Sequence, residues 1–305
     1  MFDRRGFIVG AGSLLGLAGN VAAADKSRKG ASATKTDDST PKTGTTTDRL
    51  FLPGTVTYNI AKDWDLETLI KNCEQVGLAA VELRTTHKHG VEPSLDASAR
   101  KKVRDRFEDT PVKLFGLGTT CEFHSPDAAT VKKNIATATD FIRLAHDVGA
   151  DGIKVRPNGL AKEKGIPVDA TLTQIGHALA ECGKASEPFG IEIWLEVHGK
   201  ETSKPEYIRK ILDACGHPNV GITWNSNDSD VEDGSIGKAF DLLGPNIRCV
   251  HVRDLFVDYP FEELFLRLRQ QGYDRYTMAE IPESSDPIRV LRYFRELWEQ
   301  LSKPA

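Results

Sequence analysis

A chain of 305 residues, 39% of them hydrophobic, can bury a large core and accommodates either two ordinary domains or one α/β barrel. A formal net charge of -4 leaves no basic surplus for a phosphate backbone, which argues against nucleic acid as a partner. Five cysteines, Cys73, Cys121, Cys182, Cys215 and Cys249, are odd in number and lack a CxxC pair, so they signal neither a disulfide framework nor a thiolate zinc cluster.

The chain opens with Asp3-Arg4-Arg5-Gly6-Phe7-Ile8, then an apolar, glycine-rich run to Val21 and Ala22-Ala23-Ala24. Paired arginines before a short apolar stretch and a small-residue cleavage site resemble a twin-arginine export signal over residues 1–24. Gly10, Gly12, Gly16 and Gly19 interrupt the run and weigh against a membrane anchor. The expected location is therefore periplasmic or secreted, with the twin-arginine export machinery as a partner. Residues 25–48, rich in Ser, Thr, Lys, Gly and Asp with no aliphatic residue larger than alanine, cannot bury a core and read as a flexible linker.

From residue 49 to 305, apolar runs of strand length alternate with longer amphipathic segments, eight times over, which is the pattern of repeated βαβ units. Strands are expected at 52–58, 78–83, 112–117, 152–156, 191–197, 220–225, 247–252 and 276–281. Helices are expected at 64–76, 95–108, 127–148, 169–187, 204–214, 235–243, 261–271 and 286–301. Asp127 is placed to cap a helix whose Val131, Ile135, Ala138, Ile142 and Ala145 form one apolar face, and Gly149 to end it. Eight strands and eight helices in strict order close most simply into a (β/α)8 TIM barrel, with functional residues in the loops after the strands. The rival, a doubly wound open sheet, lacks a GxGxxG after its first strand.

The buried run Ile191 to Val197 ends on Glu196, Val197, His198 and Gly199. Counting on from Glu196 by 29, 26 and 29 residues reaches Asn225, His251 and Glu280, each in the same place relative to its own apolar run. Four potential ligands at the ends of four successive strands is the pattern of a barrel with a divalent cation at its mouth. The two-residue period of a strand sends His198 to the same face as Glu196. It likewise pairs Glu82 with Arg84, Lys154 with Arg156, and His251 with Arg253. Arg84, Lys154, Arg156, His198 and Arg253 are the expected substrate-binding groups, suited to an anionic or polyhydroxyl ligand.

The contexts LEVHG, ITWNSN, VHVRD and MAEIPE, with VELR at the second strand, resemble the xylose isomerase-like TIM barrels, a family of sugar and sugar-phosphate isomerases and epimerases. That resemblance implies a Glu, Asp, His, Glu metal set with the two glutamates doubling as acid and base. Here the set becomes Glu196, Asn225, His251 and Glu280, with an amide where a carboxylate is usual and Asp228 in place of a frequent histidine. The implied reaction is proton transfer next to a sugar carbonyl through a metal-stabilised enediolate, with Glu196 and Glu280 exchanging the proton. Oxygen and single-imidazole ligation favours Mn, Mg or Co over zinc. The alternatives are elimination by a keto-sugar lyase or dehydratase at the same site, and a carbohydrate-binding barrel without catalysis. A phosphodiesterase of the endonuclease IV kind ranks last, because the charge balance is acidic.

Overall fold

Short apolar runs form strands here because the helices cover the outer face of the sheet and the barrel interior closes over the inner one, so each strand is buried on two sides. The computed structural model describes residues 50–303, and the expected signal (1–24) and linker (25–48) lie outside them. The order is β1 (Leu52–Val56), α1 (Leu66–Val76), β2 (Ala80–Arg84), α2 (Ala97–Glu108), β3 (Lys113–Glu122) and α3 (Ala128–Val148). It continues with β4 (Gly152–Arg156), α4 (Val168–Ser186), β5 (Glu192–Glu196), α5 (Pro205–Cys215) and β6 (Val220–Trp224). The last elements are α6 (Gly237–Leu243), β7 (Ile247–Val252), α7 (Phe261–Gln270), β8 (Tyr276–Ala279) and α8 (Pro287–Leu301). All neighbouring strands pair in parallel, and β1 closes on β8 from Leu52↔Tyr276 to Thr55↔Ala279, completing a (β/α)8 barrel.

Local chemistry sets the helix ends. Asp127 accepts from the backbone N–H groups of Ala129 and Thr130, and Gly149 ends α3 in the left-handed region at φ 81°. Gly77 does the same for α1 at φ 83°. The largest departure from expectation is β3, which runs to Glu122 instead of 117. Thr119, Thr120 and Glu122 read as a polar loop in sequence, but after a register shift Glu122 pairs with Arg156 and joins it by an ion pair of 2.5 Å.

Inside the barrel, Val56, Ala80, Phe115, Trp194, Cys249 and Met278 form a core separate from the one under the helices. Trp194 is fully buried, with the Phe115 ring tilted against it at a centroid distance of 4.7 Å. A Cβ on Gly116 or on Gly152 would come within 2.4 Å of its ring, so these two glycines make its room. Burying about 200 Å² of such a side chain contributes roughly 5 kcal/mol. The indole N–H donates to Glu192 Oε2 at 2.8 Å, and Glu192 is clasped from below by Arg275. Trp194 thus floors the barrel, and whatever points inward one step higher must line its mouth. Leu195 and Val197 alternate to the helix side, as the pleat requires.

After β6 the chain turns at Asn227–Asp230 beneath Tyr259. Asp230 Oδ2 accepts from the Asn227 N–H at 2.7 Å and the Tyr259 hydroxyl at 3.2 Å, while Oδ1 is buried without a partner among the described residues. Burial is the main cause that pushes its carboxyl up to about 7. A raised folded-state pKa stabilises at low pH and loses that contribution as pH rises through the folded value. Asp230→Asn is therefore expected to be more stable than the parent at pH 8, by about 1–3 kcal/mol, and no more stable at pH 4. Calorimetric melting across that range checks this, and parallel curves for the two proteins would refute it.

Candidate active site

Each polar group of the site stands two residues on from a residue of the barrel floor, so one pleat places both. On β5 Trp194 is followed by Glu196, on β7 Cys249 by His251, on β2 Ala80 by Glu82, on β4 Gly152 by Lys154, and on β8 Met278 by Glu280. The floor excludes water from below, and four of the five side chains above it are nearly inaccessible: Glu82 at 0%, His251 at 1%, Glu196 at 2% and Lys154 at 6%.

His251 is the hub. Its Nε2 lies 2.9 Å from Glu82 Oε2, which fixes the ring. Its Nδ1 then faces Glu280 Oε2 at 3.4 Å and Glu196 Oε1 at 3.7 Å and makes no hydrogen bond among the described residues. Burial opposes charge on this imidazole, but Glu82 and Glu280 outweigh it and raise its pKa well above the ordinary histidine value. Gly118 makes room for the anchoring carboxylate, since a Cβ there would meet Glu82 Oε1 at 2.8 Å. Cys249 packs beneath, its Sγ 3.9 Å from Glu82 Oε2, and burial raises its thiol pKa, so it belongs to the support of the site.

Lys154 reaches from the neighbouring strand β4 to donate from Nζ to Glu196 Oε2 at 2.7 Å. Burial works against its ammonium, and Glu196, Glu82 and Glu280 together more than offset that, so its pKa is raised. For Glu196 burial likewise opposes ionisation, and Lys154 with His251 holds the carboxyl well below the usual carboxylate range.

These groups open into a cavity of about 90 Å³, lined by Lys154, Glu196 and Glu280 and rimmed by Tyr58, Arg84, Arg156 and His198. That volume equals about three waters. Arg156 donates to Glu122 and His198 Nδ1 lies 3.0 Å from Asn158 Oδ1, so both are held in place. Among the described residues Arg84 donates to neutral oxygens, Thr85 O at 2.8 Å and Thr86 Oγ1 at 2.7 Å, and its guanidinium carbon lies 5.8 Å from the Tyr58 ring centroid. Of the residues expected at the mouth, Arg84, Lys154, Arg156, Glu196, His198 and Glu280 line this cavity, and His251 lies directly behind it. Asn225 and Arg253 are not among its lining. Arg253 stands past the end of β7, where the pleat no longer directs it, and is captured by Asp228 at 2.9 Å and the Tyr259 ring. Asn225 is half-buried one residue past β6, and the next residue, Ser226, donates its hydroxyl to the His251 carbonyl at 2.9 Å.

The donor set fits a divalent cation. Glu196, His251 and Glu280 each offer an atom within 4.8 Å of the others, and the orphaned, buried Nδ1 is aimed between two carboxylates. Two ligand atoms at about 2.1 Å from one divalent ion stand roughly 3.0 Å apart in octahedral and roughly 3.4 Å apart in tetrahedral coordination, so small side-chain shifts from the 3.4 and 3.7 Å found here suffice. Glu82 behind the histidine is the carboxylate partner that metal-bound imidazoles commonly have. Sequence reasoning placed Glu82 at a strand end without assigning it a role. The signal available was a lone charge inside Ala80-Val81-Glu82-Leu83, on the inward step of its strand.

Comparison with known proteins agrees with this architecture. The model of the family described as xylose isomerase-like TIM barrel matches residues 70–299. A D-psicose 3-epimerase with D-tagatose from Clostridium cellulolyticum H10 superposes with a TM-score of 0.72 at 15% identity, covering 83% of this chain and all of the other. A 3-keto-D-glucoside 4-epimerase from E. coli gives 0.67 at 14% identity, over 82% of this chain and 98% of the other. The IOLI protein with a bound zinc atom gives 0.67 at 14% identity, over 83% and 98%. At such identities the likeness is one of fold. No curated protein sequence matches the chain.

Proposed function

The chain belongs to the xylose isomerase-like TIM barrel family, and on that premise we propose that it is a divalent-metal-dependent sugar isomerase or epimerase that moves a proton next to a carbonyl. One observation carries the reading: the His251 ring is fixed by Glu82, and its Nδ1, without a hydrogen bond among the described residues, is aimed between Glu196 and Glu280. Glu196, His251 and Glu280 would hold the cation, with Asn225 or water completing the shell, and Mn, Mg or Co suits such ligands better than zinc. When bound, the cation polarises the carbonyl and offsets the negative charge that develops as the neighbouring carbon loses its proton.

The remaining work falls to the chain. Glu280 and Glu196 present carboxylates from strands on different sides of the cavity, one to take the proton and the other to return it. Lys154 keeps Glu196 ionised and oriented, while the apolar floor and Val56 keep bulk water from quenching the exchange. The cavity admits only the reacting end of a sugar, so its hydroxyls would lie over the rim against His198, Arg156, Arg84 and Tyr58. The leader that resembles a twin-arginine signal supports an exported enzyme acting on free sugars, keto-sugars or glycosides. The same proton removal would also start an elimination.

Incubation with ketoses, aldoses and 3-keto-glycosides in deuterated water tests this without presuming a product. Deuterium is expected at the carbon beside the carbonyl in at least one class, with added Mn, and is expected to vanish on chelation. No uptake by metal-loaded protein from any class would overturn the proposal.

A further inference from the structure

We propose that Lys154 is a resident counter-ion of this centre, one that holds Glu196 in the carboxylate cluster without metal and that a divalent cation must displace or tolerate in order to bind. The inference rests on the metal-site reading above and concerns what sets the affinity of that site.

Geometry comes first. Lys154 Nζ donates to Glu196 Oε2 at 2.7 Å, on the carboxylate whose other oxygen faces His251 Nδ1. Its root cannot swing away, because Lys154 pairs with Gly118 on one side and Trp194 on the other, and its carbonyl accepts from the Thr119 hydroxyl at 2.8 Å. The pleat therefore keeps this ammonium inside the barrel. The space it faces is the cavity that it lines with Arg156 and His198.

Charge gives the consequence. Glu82, Glu196 and Glu280 supply three negative charges, the amide at Asn225 supplies none, and Lys154 returns one positive charge that, unlike a proton on His251 Nδ1, a cation bound there does not replace. The ion thus meets a cluster one unit less negative than its carboxylates alone would make, with a like charge bonded to one of its ligands. In a site nearly closed to water, that repulsion is poorly screened. The same ammonium relieves the mutual repulsion of the carboxylates when no metal is bound. The outcome is a weak, exchangeable metal site in a protein that folds without metal.

The test is Mn²⁺ binding by calorimetry and equilibrium dialysis on chelator-stripped full-length protein, comparing the parent with Lys154→Met and Lys154→Arg. Lys154→Met is expected to bind Mn²⁺ on the order of 100-fold more tightly and Lys154→Arg about as the parent does. Mn²⁺ is also expected to raise the melting temperature of Lys154→Met more than that of the parent. Equal affinity in Lys154→Met and the parent would overturn the counter-ion role and leave the metal site standing. Binding in neither, with both folded by circular dichroism, would remove the metal site and this inference with it. Should Lys154→Met fail to fold without metal, Lys154→Gln keeps a hydrogen bond to Glu196 without the charge, and parental affinity in that variant overturns the proposal equally.

Discussion

Glu280→Gln is expected to lower turnover on the order of 10³-fold while leaving the melting temperature almost unchanged. The two halves of that result have separate causes. Glu280 lies one residue past β8, its side chain is 19% exposed, and its backbone N–H is already held by the Val252 carbonyl at 2.9 Å, so an amide of the same shape costs the fold little. What the amide cannot do is accept a proton from carbon or carry charge toward a cation. Glu196→Gln is expected to lose turnover to the same extent and, in addition, some stability, because Lys154 then faces an amide at the end of a buried 2.7 Å bond. Steady-state rates on a substrate found by deuterium uptake, paired with melting curves, separate these effects. Full activity in either variant would sink the two-carboxylate assignment.

The second large effect belongs to a residue that touches no substrate. Glu82→Ala removes the carboxylate 2.9 Å from His251 Nε2 and leaves a buried imidazole with neither nitrogen hydrogen-bonded among the described residues. Stripping one partner from such a buried pair costs about 3–5 kcal/mol, which corresponds to a drop of roughly 10 °C in the melting temperature of a domain this size. Because His251 would also lose its fixed orientation, Mn²⁺ affinity is expected to fall 10–100-fold, to order of magnitude. Glu82→Gln keeps an acceptor at the same distance, so most of the stability should return while the affinity returns only in part. Calorimetry on both variants checks this, and a Glu82→Ala protein with parental melting and parental Mn²⁺ affinity would refute the anchoring role.

The order of elements and the positions of Glu196, His251 and Glu280 were legible in sequence because both follow from short-range periodicity. A strand alternates its faces, a βα unit costs a nearly constant length of chain, and so equal spacing of polar residues at strand ends marks one rim of a closed sheet. The caps at Asp127, Gly77 and Gly149 were legible for the same local reason. The end of β3 was not, since polar residues 119–122 become strand only through pairing with β4.

By itself, then, the sequence determined the barrel, the inward face of each strand and most of the groups that face its mouth, Asn225 and Arg253 excepted. It could not determine which of those groups touch. That Glu82 anchors His251 across a separation of 169 residues, that Lys154 reaches Glu196 from the neighbouring strand, and that Arg253 turns aside to Asp228 are matters of closure and register. Such contacts depend on the tilt and stagger of the strands around the barrel and on the two glycines that let Trp194 form its floor, and these are properties of the closed sheet as a whole. The change at position 225 from the carboxylate expected there to an amide was visible in the sequence, but the ammonium that shares the site with any cation emerged only when β4 and β5 were set side by side.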